Sequence, residues 1–237
     1  MANEIHIWQQ TLLPTSSQQE SLAACLSEAE QQRVQQYHSA AQRTAFVAVR
    51  GRLRCLLGHY LDVAPTELRF GRTPDGKPYL QGGGPSLCFN ISHSGQWSLL
   101  AFSRGSPLGV DLEQLRPIPP AKCLRLARRF FADAEYSALT RLPLAQVNTA
   151  FFTCWSRKEA YIKRHGISIA RLLAHFTVSI DPDAPPVLLA TPWQPEDAAA
   201  CQLHDLPAPA GYCAALALGS SKPFVLRHFQ CGTGCTN

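Results

Sequence analysis

The stretch "LCFNISHSGQWSLLAFSRGSPLGVDLEQL", residues 87–115, decides the fold. It reads as a strand, a polar turn around Gly95, a second strand, the turn "RGSP" and a third strand, "LGVDLEQL". Successive strands joined by turns this short are expected to be antiparallel.

Upstream, "EIHIWQ" at 4–9 alternates and reads as a strand, while 16–37 and 40–61 read as helices. The second helix is apolar at 45, 46, 49, 53, 56, 57 and 60, with its end marked by Gly58 and Pro65. Residues 68–80, "LRFGRTPDGKPYL", read as two short strands flanking a turn from Thr73 to Gly76, and "QGGGP" as a link. Downstream, "RPIPP" at 116–120 ends the strands. Helices are expected over 121–131, 132–142 and 145–166, the last closed by Gly166. Strands are expected in "HFTVSI", "PVLLATPW", "YCAALALG" and "FVLRHF". Helices followed by hairpins, twice over, predict an α+β protein of two similar halves, 1–104 and 105–237.

Composition narrows the function classes. Hydrophobic residues make up 46% and charged ones only 16%, so the chain can build a core but its surface leans on uncharged polar residues. The net charge of +5 favours anionic ligands or acidic partners. The basic residues form no run and no aromatic-basic repeat, which argues against nucleic acid. No apolar stretch is long enough to span a membrane. The start "MANEIHIWQQ" has no signal-peptide pattern, so a cytoplasmic protein is expected. The nine scattered cysteines fit reduced thiols, and the pair Cys231 and Cys235 has no second ligand pair nearby for zinc.

Two segments carry chemistry. In "GVDLE", Asp111 and Glu113 share one strand face. They are either a solvated strand end or oxygen ligands for a hard divalent cation, which would relieve their repulsion. In "FFTCWSRKEAYIKRHG" at 151–166, Glu159 and Lys163 stand one helical turn apart, either as a simple surface pair or as part of a site. Lys158 points to another face, as a solvated charge or a phosphate contact. Ser92 and His93, beside a turn, suit phosphate oxygens. They lack the G-x-S-x-G elbow of a hydrolase, and neighbours on a strand face opposite ways.

Taken together, Gly76-Lys77-Pro78, Asn90 to Ser94, Gly109 to Glu113 and Trp155 to Lys163 resemble, in order, the signature segments of the 4′-phosphopantetheinyl transferases. The likeness is to the larger single-chain type typified by the surfactin-synthetase activator, and it is best over about residues 30 to 180. The resemblance implies two similar halves in pseudo-twofold arrangement with antiparallel sheets, and coenzyme A bound as substrate between them. It implies transfer of the phosphopantetheine arm to a serine of an apo acyl or peptidyl carrier protein, releasing adenosine 3′,5′-bisphosphate. On this reading Asp111, Glu113 and Glu159 hold Mg²⁺. Glu159 is also the candidate base, and Lys163 neutralises phosphate. Lys77, Pro78, Ser92 and His93 hold the 3′-phosphate and pyrophosphate, and Arg43 and Thr44 meet the nucleotide end. A docking patch for an acidic carrier is expected near Arg125, Arg128 and Arg129, with Phe130 and Phe131 in the core. With the cleft inside one chain, a monomer is expected. The rival readings are a non-catalytic coenzyme A or nucleotide binder and a metal-dependent pyrophosphate hydrolase.

Overall fold

The computed structural model describes residues 3–82, 87–167, 172–181 and 184–232. Its elements run twice through the same series. The first series opens with strand β1 (Glu4–Thr11) and the short helices α1 (Ser16–Ala24) and α2 (Glu28–Gln36). The long helix α3 (Ala40–Leu61), the ribbon β2 (Phe70–Arg72) and β3 (Pro78–Leu80), and the hairpin β4 (Leu87–Ser94) and β5 (Trp97–Arg104) follow. The second series opens with β6 (Leu108–Gln114), α4 (Pro120–Phe130) and α5 (Asp133–Thr140). It continues with the long helix α6 (Leu144–His165), the ribbon β7 (Thr177–Val178) and β8 (Leu188–Ala190), the one-turn α7 (Asp197–Ala200), and the hairpin β9 (Cys201–Leu206) and β10 (Tyr212–Gly219). The strand order repeats as well, β1-β5-β4 in one sheet and β6-β10-β9 in the other, all antiparallel. A last strand, β11 (Val225–Gln230), returns to the first sheet and pairs parallel with β1.

Side-chain parity explains the layering. On β1 and β5, Trp8, Leu100 and Phe102 meet Leu53 and Leu57 of α3. The alternate residues Ile5, Ile7, Leu99 and Ala101 meet Val110, Leu112, Leu216 and Leu218 of the second sheet. On the far face of that sheet, Ala215 and Ala217 pack with Ala160, Tyr161 and Ile162 of α6. The two sheets therefore lie between the two long helices, with the apolar surface they share as the central core.

Three expectations change. Residues 16–37 form two helices, because two capping boxes compete with continuity: Thr15 caps α1 with Gln18, and Ser27 caps α2 with Glu30. Helix α3 has the expected span, but its end is set by Asp62 in the left-handed region (φ 56°) and not by Gly58; a Cβ at Gly58 would lie 2.7 Å from the carbonyl of Val63, so the glycine serves the returning chain. Finally, β6 does not add to the hairpin as a third backbone-bonded strand. Its backbone ladder is to β10, and its other edge faces β4. Among the described residues no disulfide forms, and no helix is long and apolar enough to cross a membrane. Cys235 lies outside the described residues.

Candidate active site

On β6, Leu108, Val110 and Leu112 enter the central core, so Gly109, Asp111 and Glu113 face α6. A Cβ at Gly109 would overlap the carbonyl of Ala160 and the amide of Arg164. Glycine thus lets the helix close on the strand, and the turn bearing Glu159 and Lys163 comes to rest against the acidic pair. Lys163 Nζ donates to Asp111 Oδ1 at 2.5 Å and to Ser92 Oγ at 2.9 Å.

The electrostatics of this junction are unrelieved. Asp111 is 2% exposed, and its Oδ2 is buried with no hydrogen-bond partner. Glu159 is 6% exposed. Burial, with the charge of Asp111 behind it, pushes the Glu159 carboxyl up to about 7, against the pull of Lys163. Burial and Asp111 also raise Glu113. One ammonium group does not balance two buried carboxyls and the half-buried Glu113, which leaves the site favouring a further cation. The donor set, all carboxylate oxygen with an orphaned buried Oδ2, fits a hard divalent ion. Among the described residues no three such groups stand close enough to form a closed metal cluster, so the fit rests on donor chemistry.

The other expected residues are placed as follows. Ser92 is buried, and its hydroxyl donates to Asp111 Oδ1 at 2.9 Å and accepts from the Leu112 amide at 3.2 Å. It is thereby committed to protein partners, whereas His93, its neighbour on the opposite face of β4, is exposed. Lys77 Nζ donates to the carbonyls of Arg164 (2.7 Å) and Leu108 (3.2 Å), and burial lowers its pKa to about 8. Its stem packs on Gly166, where a Cβ would meet it. Lys77 therefore fastens the end of α6 to the β2–β3 ribbon. Pro78 follows it and lines a cavity of about 640 Å³ whose wall carries Arg33, Arg50, Arg54, Arg69 and Arg72 but none of the three carboxylates. Arg43 donates to the carbonyls of Tyr37 (2.7 Å) and His38 (3.2 Å), and Thr44 follows it, half-buried, on α3.

Both readings of Lys158 are overturned. It is wholly buried and donates to Glu135 Oε1 (2.6 Å), Glu135 Oε2 (2.7 Å) and the Phe176 carbonyl (2.6 Å). Its neighbour Arg157 is also buried and forks onto Asp205. The polar string of α6 is thus half scaffold and half site. Sequence reading also passed over Asp197, which takes bonds from Tyr161, Arg164 and His165 and pins the last turn of α6. Their only sequence signal was polarity at positions a buried helix would fill with apolar groups.

This geometry has recognisable relatives. Residues 107–217 match the model of the 4′-phosphopantetheinyl transferase superfamily, and residues 8–104 match that of the 4′-phosphopantetheinyl transferase N-terminal region. The chain is 38% identical over 194 residues to the 4′-phosphopantetheinyl transferase HetI of Nostoc sp., covering 81% of each chain. It is 33% identical over 180 residues to the 4′-phosphopantetheinyl transferase psf-1 of Bacillus pumilus (76% of this chain, 72% of the relative). Over 131 residues it is 34% identical to the 4′-phosphopantetheinyl transferase Sfp of Bacillus subtilis (55% and 56%). The chain belongs to the 4′-phosphopantetheinyl transferase superfamily, and it is a transferase of that class.

Proposed function

We propose that this protein moves the 4′-phosphopantetheine arm of coenzyme A onto a serine of an apo acyl or peptidyl carrier protein, releasing adenosine 3′,5′-bisphosphate. The observation that carries the reading is the burial of Asp111 and Glu159 against Lys163, with Asp111 Oδ2 left without a partner. Asp111, Glu113 and Glu159 would hold Mg²⁺, which when bound supplies charge neutralisation to the pyrophosphate. The carrier serine oxygen attacks the pantetheine-side phosphorus, and the bond from that phosphorus to the bridging oxygen breaks. The bridging oxygen and its electrons leave with the nucleotide. Glu159, with a carboxyl pKa near neutrality, takes the serine proton directly or through a water. Lys163 neutralises the phosphate oxygens as charge shifts toward the leaving group.

Arg43 and Thr44 receive the nucleotide end, and Arg33, Arg69 and Arg72 in the wall beside Pro78 attract its phosphate, while Arg50 and Arg54 are paired with Glu30 of the same wall. His93 and Lys77 would hold the 3′-phosphate and pyrophosphate, Lys77 by exchanging its two carbonyl contacts for phosphate oxygens. The carrier presents acidic helices to α4, whose Lys122, Arg125, Arg128 and Arg129 are exposed. The cleft lies between residues 1–104 and 105–237 of a cytoplasmic monomer that takes neither nucleic acid nor membrane.

The test is intact-mass spectrometry of an apo carrier protein incubated with coenzyme A, Mg²⁺ and this protein, with an EDTA control. A gain of one phosphopantetheine that EDTA removes is expected. Coenzyme A cleaved without any gain on several carriers would instead make the chain a hydrolase.

A further inference from the structure

Among the described residues, the edge of β6 that faces β4 has no backbone partner strand, yet its amides are not open. Asn90 Oδ1 accepts from the Val110 amide at 2.9 Å, Ser92 Oγ from Leu112 at 3.2 Å, and Ser94 Oγ from Gln114 at 3.1 Å. The offset is 20 residues at each rung, so the two strands run in the same direction, and three alternate side chains replace a backbone ladder. Two rungs do a second thing. Each serine hydroxyl, having accepted from β6, donates its own proton to the carboxylate one residue earlier: Ser92 to Asp111 Oδ1 at 2.9 Å and Ser94 to Glu113 Oε2 at 3.2 Å. A hydroxyl has one proton to give, so its direction is set once the amide occupies a lone pair.

We infer that Ser94 is a positioning residue for the divalent-cation site, holding Glu113 through its hydroxyl while the Asn90–Ser92–Ser94 ladder fixes β6 against the first sheet. The inference rests on the proposed metal role of Asp111, Glu113 and Glu159. Ser94 donates to Glu113 from a rung anchored on the other half of the molecule, so the carboxylate's direction depends on how the two halves sit. Asn90 serves the ladder, its Oδ1 accepting from the Val110 amide, and among the described residues it makes no hydrogen bond to a carboxylate.

The test uses Mn²⁺ as probe, titrated into the full chain and read by electron paramagnetic resonance of the free ion, with urea midpoints measured alongside. Ser94→Ala is expected to weaken Mn²⁺ binding about tenfold, the scale found when a ligand's hydrogen-bond partner is removed. Ser94→Thr, which keeps the hydroxyl, should bind within about threefold of wild type on that scale. Asn90→Ala should lower the urea midpoint more than it lowers Mn²⁺ affinity. Equal Mn²⁺ affinity in Ser94→Ala and wild type, or a Ser94→Thr chain as weak as Ser94→Ala, overturns the inference. Wild type with no saturable Mn²⁺ binding that Asp111→Ala removes would overturn the metal reading itself, a separate result.

Discussion

Replacing Lys158 by methionine tests whether the middle of α6 is scaffold. The ammonium is wholly buried and spends its three protons on Glu135 Oε1, Glu135 Oε2 and the Phe176 carbonyl. It also lies 4.1 Å from the centre of the Phe176 ring. Glu135 in turn accepts from the amides of Val178 (2.7 Å) and Ala132 (2.8 Å). The pair thus ties α5, α6 and β7 at one point. Lys158→Met leaves a buried carboxylate with two neutral donors, a loss of about 3–5 kcal/mol. That is a large part of the 5–15 kcal/mol, roughly, that holds a domain together. Glu135→Gln leaves the ammonium with a weaker acceptor and should lose a similar amount. In the double variant neither charge is stranded, so about 2 kcal/mol of the summed loss should return. It should still fall short of wild type, because the Phe176 carbonyl and one backbone amide lose a partner at about 1–3 kcal/mol each. Equilibrium urea unfolding of all four chains at neutral pH measures this cycle. Losses under about 1 kcal/mol, or a double variant additive within about 0.5 kcal/mol, would refute the buried-pair reasoning.

Glu159→Gln should abolish transfer to the carrier while leaving the urea midpoint at or above wild type, since it removes a buried charge; near-full turnover by intact-mass assay would end its role as base. The same residue sets a pH dependence. Its folded pKa of about 7 lies above the ordinary 4.5, so in metal-free protein the folded state binds more protons between those values. Its contribution to stability is complete below pH 4.5 and falls away as pH rises to about 7, by on the order of 3 kcal/mol for that shift. Unfolding at pH 5 and pH 8 in EDTA should show this slope as the difference between wild type and Glu159→Gln, and saturating Mg²⁺ should shrink it; parallel slopes would remove the idea. Charge reversal at Arg128 and Arg129, which are exposed on α4, should raise the apparent KM for carrier protein and leave that for coenzyme A unchanged. An unchanged carrier KM would move the docking surface elsewhere.

The parts legible in the sequence were those with a local period. The turn residues that punctuate 87–115 and the repeating apolar positions in 40–61 placed their elements to within a residue or two. The strand β9 was passed over, although "CQLHDL" alternates, because its burial is set by β10, which follows it. The pairing of β6 was misread for a different reason. A short turn sets where the chain goes next, and Gly105 (φ 76°) with Pro107 sends it into a new sheet. The acidic positions were legible because carboxylates two apart on a strand share a face wherever that strand packs. Lys158 was not, since its partner lies 23 residues away in sequence and nothing local distinguishes a buried lysine from a solvated one. The same holds for Ser92, whose polar motif invited a ligand and whose hydroxyl went to the protein.

Neither series of elements makes the site alone. The second supplies the carboxylates on β6 and the helix that bears Glu159 and Lys163, while the first supplies Ser92 and Ser94 to aim Asp111 and Glu113. Without β4, the edge of β6 would present open amides, a surface that invites pairing with other chains. A backbone strand in that place would satisfy the amides but could not also give protons to the carboxylates, because each of its amides has only one to give and would point along the sheet. Hydroxyl side chains do both, accepting from the strand and donating to its acids. The same contacts that join the halves therefore orient the charges between them. Residual repulsion among Asp111, Glu113 and Glu159 is only partly met by Lys163. On the proposed reading, a bound cation would relieve that repulsion, so part of its binding energy would fall where the proposed chemistry is done.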